Sequence, residues 1–183
     1  MRQMERQVAR WAVISLVAAA EALAQELQQT SRRILVSSLA RKLALIENDH
    51  VVKTYPVAVG AASTPSPTGI FAVVNRIPHP TWYQPGKVVP PGKNNPLGTR
   101  WMGLSLKGFG IHGTNSPRSI GRAASHGCIR MRNRDVEELF EFIGEGDVVE
   151  LDGGQTPEVA QIFAPAEERS GRAASLAAPA SGE

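Results

Sequence analysis

Cys128 is the only cysteine in the 183-residue chain, and it shares a short segment with two of the four histidines, His112 and His126. From His112 to Arg130 the segment reads H-G-T-N-S-P-R-S-I-G-R-A-A-S-H-G-C-I-R, with Gly113, Gly121, Ala123, Ala124 and Gly127 between or beside the histidines. A single thiol with imidazoles nearby is the pattern of a cysteine nucleophile and its base. The thiolate is the attacking form, and a free pKa of about 8.5 typically falls to about 3.5–7.5 where a base or cation stands close. Cys128 therefore needs an imidazole beside it. His112 stands sixteen positions ahead, far enough for a loop to return and face the two side chains. His126 stands two positions ahead, a spacing that shares one face in extended chain, so spacing leaves the base open between the two. His126-Gly127-Cys128 also suits a tight turn whose backbone N–H groups converge on one point. Such donors stabilise a tetrahedral oxyanion, and losing one typically costs about 2.7–4 kcal/mol. A buried, inert thiol is a common fate of free cysteine, but the histidines and glycines here argue against it.

Composition narrows the setting. The length suits one domain with tails and not two domains of ordinary size. One cysteine excludes an intramolecular disulfide, so packing and hydrogen bonds must hold the fold. The net charge is only +3, with twenty basic residues scattered among seventeen acidic ones, which does not indicate nucleic acid as a partner. No C-x-x-C or H-E-x-x-H metal site, P-loop or dinucleotide fingerprint is present, so neither metal nor cofactor is expected.

The elements that must position the segment follow from the pattern. Residues 1–24 carry Arg2, Arg6 and Arg10, the apolar run Trp11–Ala20 and Ala22-Leu23-Ala24, the three parts of a secretory signal peptide. Its apolar core of about ten residues is shorter than the roughly 20 needed to span a bilayer. Cleavage after Ala24 is the expectation, with a retained N-terminal anchor as the other reading, and either implies export to the periplasm or cell envelope. Residues 25–32 read as a linker, 33–152 as the catalytic domain and 153–183 as a flexible Ala/Ser/Pro/Gly-rich tail. Strands are expected at 33–38, 42–47 and 50–58, with a hairpin at Asn48-Asp49, whose side chains tolerate the left-handed turn conformation. Another strand follows near Ile70–Val74. Residues 76–100 hold six prolines and read as a long surface loop in which Trp82 and Tyr83 either line a substrate groove or pin the loop to the body. A strand from Trp101 and a second through Ile111 put His112 at a strand end. Asn133 is read as the cap of a helix over about 134–143, and 147–151 as a last strand.

H-G-T-N followed by S-H-G-C-I-R closely resembles the L,D-transpeptidases of the YkuD type. T-P-S-P-T-G-I-F (64–71), N-P-L-G-T-R-W (95–101) and S-I-G-R (119–122) also stand where that family has them, and the likeness spans about residues 33–152. The resemblance implies a mostly β fold, a sandwich or barrel of mixed sheets with one or two short helices. It implies peptidoglycan stem peptides as substrate: the cysteine matching Cys128 attacks an L,D bond of a tetrapeptide stem, releases the terminal D-Ala, and passes the acyl group to an amine of another stem or of an envelope lipoprotein. It implies His112 as base, held through its other ring nitrogen by the Gly113 carbonyl. His126 and the amides of Gly127 and Cys128 would build the oxyanion site, with Ser125 supporting it. Arg130 suits a substrate carboxylate, and Arg122 is a second candidate. Carbapenem-type β-lactams are the expected inhibitors. Hydrolysis of the same acyl-enzyme, as by a carboxypeptidase or amidase, and an inactive peptidoglycan-binding module are the alternatives.

Overall fold

A computed structural model describes residues 31–163. Eight of its strands form one mixed sheet. Its first strands are β1 (Arg32–Ser37), β2 (Lys42–Glu47) and β3 (His50–Pro56), an antiparallel meander. Asn48 and Asp49 turn the second hairpin with φ of 49° and 61°, the doubly left-handed geometry that their side chains tolerate. β1 starts at Arg32, one residue inside the stretch read as linker, and β3 ends at Pro56. Val57 and Ala58 follow, fully buried, with Ala58 exchanging both backbone hydrogen bonds with Arg130 at 2.9 Å, and lead into the short β4 (Val59–Gly60).

Beyond them come β5 (Gly69–Pro78), β6 (Trp82–Gln84), β7 (Lys87–Val89), β8 (Arg100–Leu104), β9 (Gly110–His112), β10 (Ala123–Ser125) and β11 (Ile129–Arg130). Helix α1 (Asn133–Phe142), β12 (Val148–Asp152) and helix α2 (Pro157–Phe163) follow. The large sheet has the order β11-β9-β8-β5-β12-β1-β2-β3, while β10 pairs with β4 and β6 with β7 in two-stranded sheets. The mostly β fold with two short helices agrees with the sequence expectation.

The core lies between one face of the sheet and α1. Ile34, Val36, Leu43, Leu45, Val73, Met102, Ile111, Ile129 and Val149 point inward, where Val136, Leu139 and Ile143 meet them. Across β1 and β2 the opposite face is also apolar, and Leu35, Ala44 and Ile46 pack against Val159 and Phe163 of α2. Buried on both faces, these strands read as unbroken apolar runs rather than as alternation.

Three expectations need correction. The stretch 76–100 is not irregular throughout: β5 runs on to Pro78 and a β6–β7 hairpin follows, because Val88, Val89 and the aromatic pair favour extended pairing where the prolines stand outside it. Residues 157–163 form α2 instead of flexible tail, since Val159 and Phe163 find an apolar sheet face to cover. Asn133 is the first helical residue and caps nothing; Arg132 occupies the cap position without a side-chain bond. The Asn133 carboxamide oxygen instead accepts the Thr114 N–H at 2.9 Å. The signal-peptide reading and the tail after 163 lie outside the described residues.

Candidate active site

Strands β9 and β11 are parallel neighbours, with Ile129 opposite Ile111 and Arg130 opposite His112. A parallel neighbour must be reached by a crossover of about a dozen residues or more, and residues 113–128 are that crossover. Alternation along the strands sends Ile111 and Ile129 into the core, both fully buried, and His112 and Arg130 to the other face. Cys128 precedes Ile129 and so comes level with Gly110, on the His112 side of the sheet. Its half-buried thiol lies 3.6 Å from the Gly108 carbonyl, and the Gly110 N–H faces the sulfur.

His112 is 4% exposed and tightly held. Its Nδ1–H donates to the Gly113 carbonyl at 2.6 Å, which leaves Nε2 with the lone pair a base requires. Trp101, opposite His112 across β8 and β9, stacks on the imidazole with ring centroids 5.7 Å apart and planes inclined by 26°. The indole is tied by Nε1–H to Asn75 Oδ1 at 3.0 Å and lies over Gly110, where any β-carbon would strike it. Burial pushes the His112 pKa down to about 4 and outweighs the Gly113 carbonyl, which favours the charged ring, while the nearby Arg130 guanidinium reinforces burial. Burial also pushes the Cys128 thiol up, against the smaller opposing pull of the Gly110 N–H and the Arg130 charge. At neutral pH the resting groups on this face are thus a thiol and a neutral imidazole, and the thiol would have to give up its proton for the sulfur to attack.

The S-H-G-C turn is shaped by Ser125. Its hydroxyl accepts the Gly127 N–H at 3.0 Å and donates to the Cys128 carbonyl at 2.6 Å. The Ser125 carbonyl in turn receives the Ala61 N–H at 2.9 Å and the Thr64 hydroxyl at 3.1 Å, so the T-P-S-P loop buttresses the turn from behind. Gly127 has φ of +106° and a β-carbon there would run into the Phe109 ring, so only glycine fits. One expectation changes here: the Gly127 amide is already committed to Ser125, which leaves the Cys128 N–H as the open donor of that pair.

The structure brings together Cys128, His112, Gly113, Ser125, Gly127 and Arg130, whose Nη1 also donates to the Ala124 carbonyl at 3.2 Å. His126 and Arg122 are exposed. Trp82 lies in β6 beneath the Lys87 ammonium, 5.9 Å from the ring centroid, and Tyr83 is 73% exposed. Asn95 pins the 79–97 excursion, fully buried, by donating Nδ2 to the carbonyls of Pro80, Val89 and Pro90. Trp101, Asn75 and Asn95 were missed by sequence reasoning. For Trp101 a signal existed, since alternation with the apolar Met102 turns the indole to the face that carries His112.

The L,D-transpeptidase catalytic domain family, YkuD, matches residues 31–151 by its sequence model. Bacillus licheniformis YkuD, named as an L,D-transpeptidase, is 47% identical over 119 residues, covering 65% of this chain and 64% of its own. Bacillus subtilis YqjB, so named as well, is 37% identical over 118 residues, covering 62% of this chain and 66% of its own. The chain therefore spans somewhat less than two thirds of these relatives. Among solved structures, an L,D-transpeptidase from Mycobacterium smegmatis superposes with a TM-score of 0.58 at 18% identity, covering 68% of this chain and 59% of that one. LdtMt1 in complex with imipenem gives 0.57 at 22% identity, covering 67% and 59%. At these identities the structures speak to fold alone, and together with the sequence match they agree with the site's geometry: the chain belongs to the YkuD family of L,D-transpeptidase catalytic domains.

Proposed function

We propose that this chain is an exported L,D-transpeptidase in which Cys128 is the nucleophile and His112 its base. The observation that carries the reading is the parallel pairing of β9 and β11, which sets the thiol, the imidazole held through Nδ1 and the Arg130 guanidinium on one face. In acylation Nε2 takes the thiol proton while Sγ forms a bond to the carbonyl carbon of the L-centre in a tetrapeptide stem. The Cys128 N–H faces the oxyanion. Collapse breaks the C–N bond to D-Ala, and the imidazolium returns its proton to the departing amine. An acceptor amine then attacks the thioester, loses a proton to His112, and the C–S bond breaks to regenerate the thiol. The acceptor is an amine of another stem, giving a 3-3 cross-link, or of an envelope lipoprotein. Arg130 suits the carboxylate of the stem, and residues 1–24, read as a signal peptide, would deliver the domain to its substrate in the periplasm.

Two measurements test this. Incubation with a purified tetrapeptide muropeptide is expected to yield a cross-linked dimer by mass; a shortened monomer would make the enzyme a hydrolase, and binding without turnover would make it a module. Imipenem, bound to LdtMt1 in a solved structure of this fold, is expected to add its mass to the wild type and not to Cys128→Ala. An adduct on the alanine variant would remove Cys128 from the role.

A further inference from the structure

Asn133 does nothing for the helix it begins, yet two loops make room for it. A β-carbon at Gly98 or at Gly113 would overlap its Oδ1. That oxygen accepts the Thr114 N–H at 2.9 Å. The Thr114 N–H and the Gly113 carbonyl belong to the same peptide unit, and the carbonyl end is the one that receives the His112 Nδ1–H at 2.6 Å. Gly98 directly follows Leu97, whose carbonyl also faces the imidazole. The carboxamide is thus wedged between the two loops that deliver backbone acceptors to the ring. Hydrogen bonds in series polarise one another, so an acceptor on the N–H end of a peptide both fixes its plane and strengthens its carbonyl.

We propose that Asn133 is the positioning residue for His112, acting through the Gly113–Thr114 peptide: Asn133 Oδ1 holds the N–H end, and the carbonyl end holds Nδ1–H. Triad enzymes assign to a carboxylate the task of fixing the tautomer of the base; here a neutral side chain does it across one peptide plane. The inference rests on His112 being the base of the proposed reaction, but its first readout does not depend on turnover.

The test uses histidine labelled with nitrogen-15 in the full chain. In the wild type the His112 ring is expected as the single Nδ1–H tautomer at neutral pH. Asn133→Ala is expected to give a mixture of tautomers and to slow imipenem acylation on the order of tenfold, the size of one net hydrogen bond. Asn133→Asp keeps an acceptor at the same place, next to a helix N-terminus that tolerates an anion, and is expected to restore the single tautomer. Unchanged His112 signals in Asn133→Ala would overturn the proposal. So would failure of a folded Asn133→Asp to restore them, since a purely structural residue would show itself in melting temperature and not in the tautomer. If Asn133→Ala does not fold, Asn133→Ser supplies the shortened side chain and the same comparison with Asn133→Asp decides. A wild type that shows the tautomer but forms no acyl adduct would count against the reaction and leave the positioning role intact.

Discussion

The two ends of the large sheet are held by different forces. At the β1–β2 end, Leu43, Ala44, Leu45 and Ile46 are all buried, two against the main core and two against α2, with no polar side chain among them. At the β9–β11 end six of the seven buried polar or charged residues of the described chain gather: Asn95, His112, Thr114, Ser119, Ser125 and Asp135. Apolar burial is non-directional and tolerates small shifts. Hydrogen bonds carry direction, and a buried group that loses its partner loses its solvation as well. The first end supplies stability; the second uses stability to hold a thiol, a ring and a turn in one geometry.

His112→Gln is the most severe way to sharpen that contrast. Removing the proposed general base is expected to slow acylation of Cys128 by imipenem about 10²–10⁴-fold, measured as the rate of adduct formation by mass. A decline smaller than tenfold would move the base elsewhere, His126 being the alternative the spacing left open.

Leu45→Ala probes the opposite end. Truncation of a fully buried leucine is expected to cost about 2–5 kcal/mol in urea unfolding, with the acylation rate of the folded fraction unchanged. A loss of reactivity matching the loss of stability would show that the two ends are coupled and break the comparison.

Acid tests the polar end through His112 alone. Its folded pKa, about 4, lies below the ordinary histidine value of 6.5, so between these limits the unfolded chain binds a proton that the native state refuses. Stability from this group is therefore complete above about pH 6.5 and falls as pH drops toward 4. The full difference corresponds to about 3 kcal/mol. Unfolding midpoints followed from pH 7 to pH 4 should show this slope in the wild type and a shallower one in His112→Gln. Equal slopes would mean that His112 is not a buried neutral ring.

The apolar end was legible because its signals are local. The runs at 34–36 and 43–46, and the Asn48-Asp49 turn, depend on side-chain shape and backbone preference that neighbours in sequence already state. The helix over 133–142 was legible too, but its first residue was misread. Asn at a helix start is usually a cap, and only the folded chain shows Thr114 competing for the same oxygen. α2 escaped for a related reason: Val159 and Phe163 amount to little until an apolar sheet face stands across from them. Within the site, Ser125 and Gly127 were legible as a group, whereas the partner of the Gly127 amide was decided by which way the Ser125 hydroxyl turned.

The sequence by itself determined the reactive inventory: one thiol, two candidate imidazoles, glycines where the backbone must bend, and a family likeness carried by their order. Tertiary structure sets the two imidazoles apart. The sixteen positions from His112 to Cys128 span a parallel crossover, and parallel pairing can be recognised only when both strands are in place. Once β11 lies beside β9, alternation puts His112 and Cys128 on one face and buries the ring beneath Trp101, while His126, nearer in sequence, is left facing solvent.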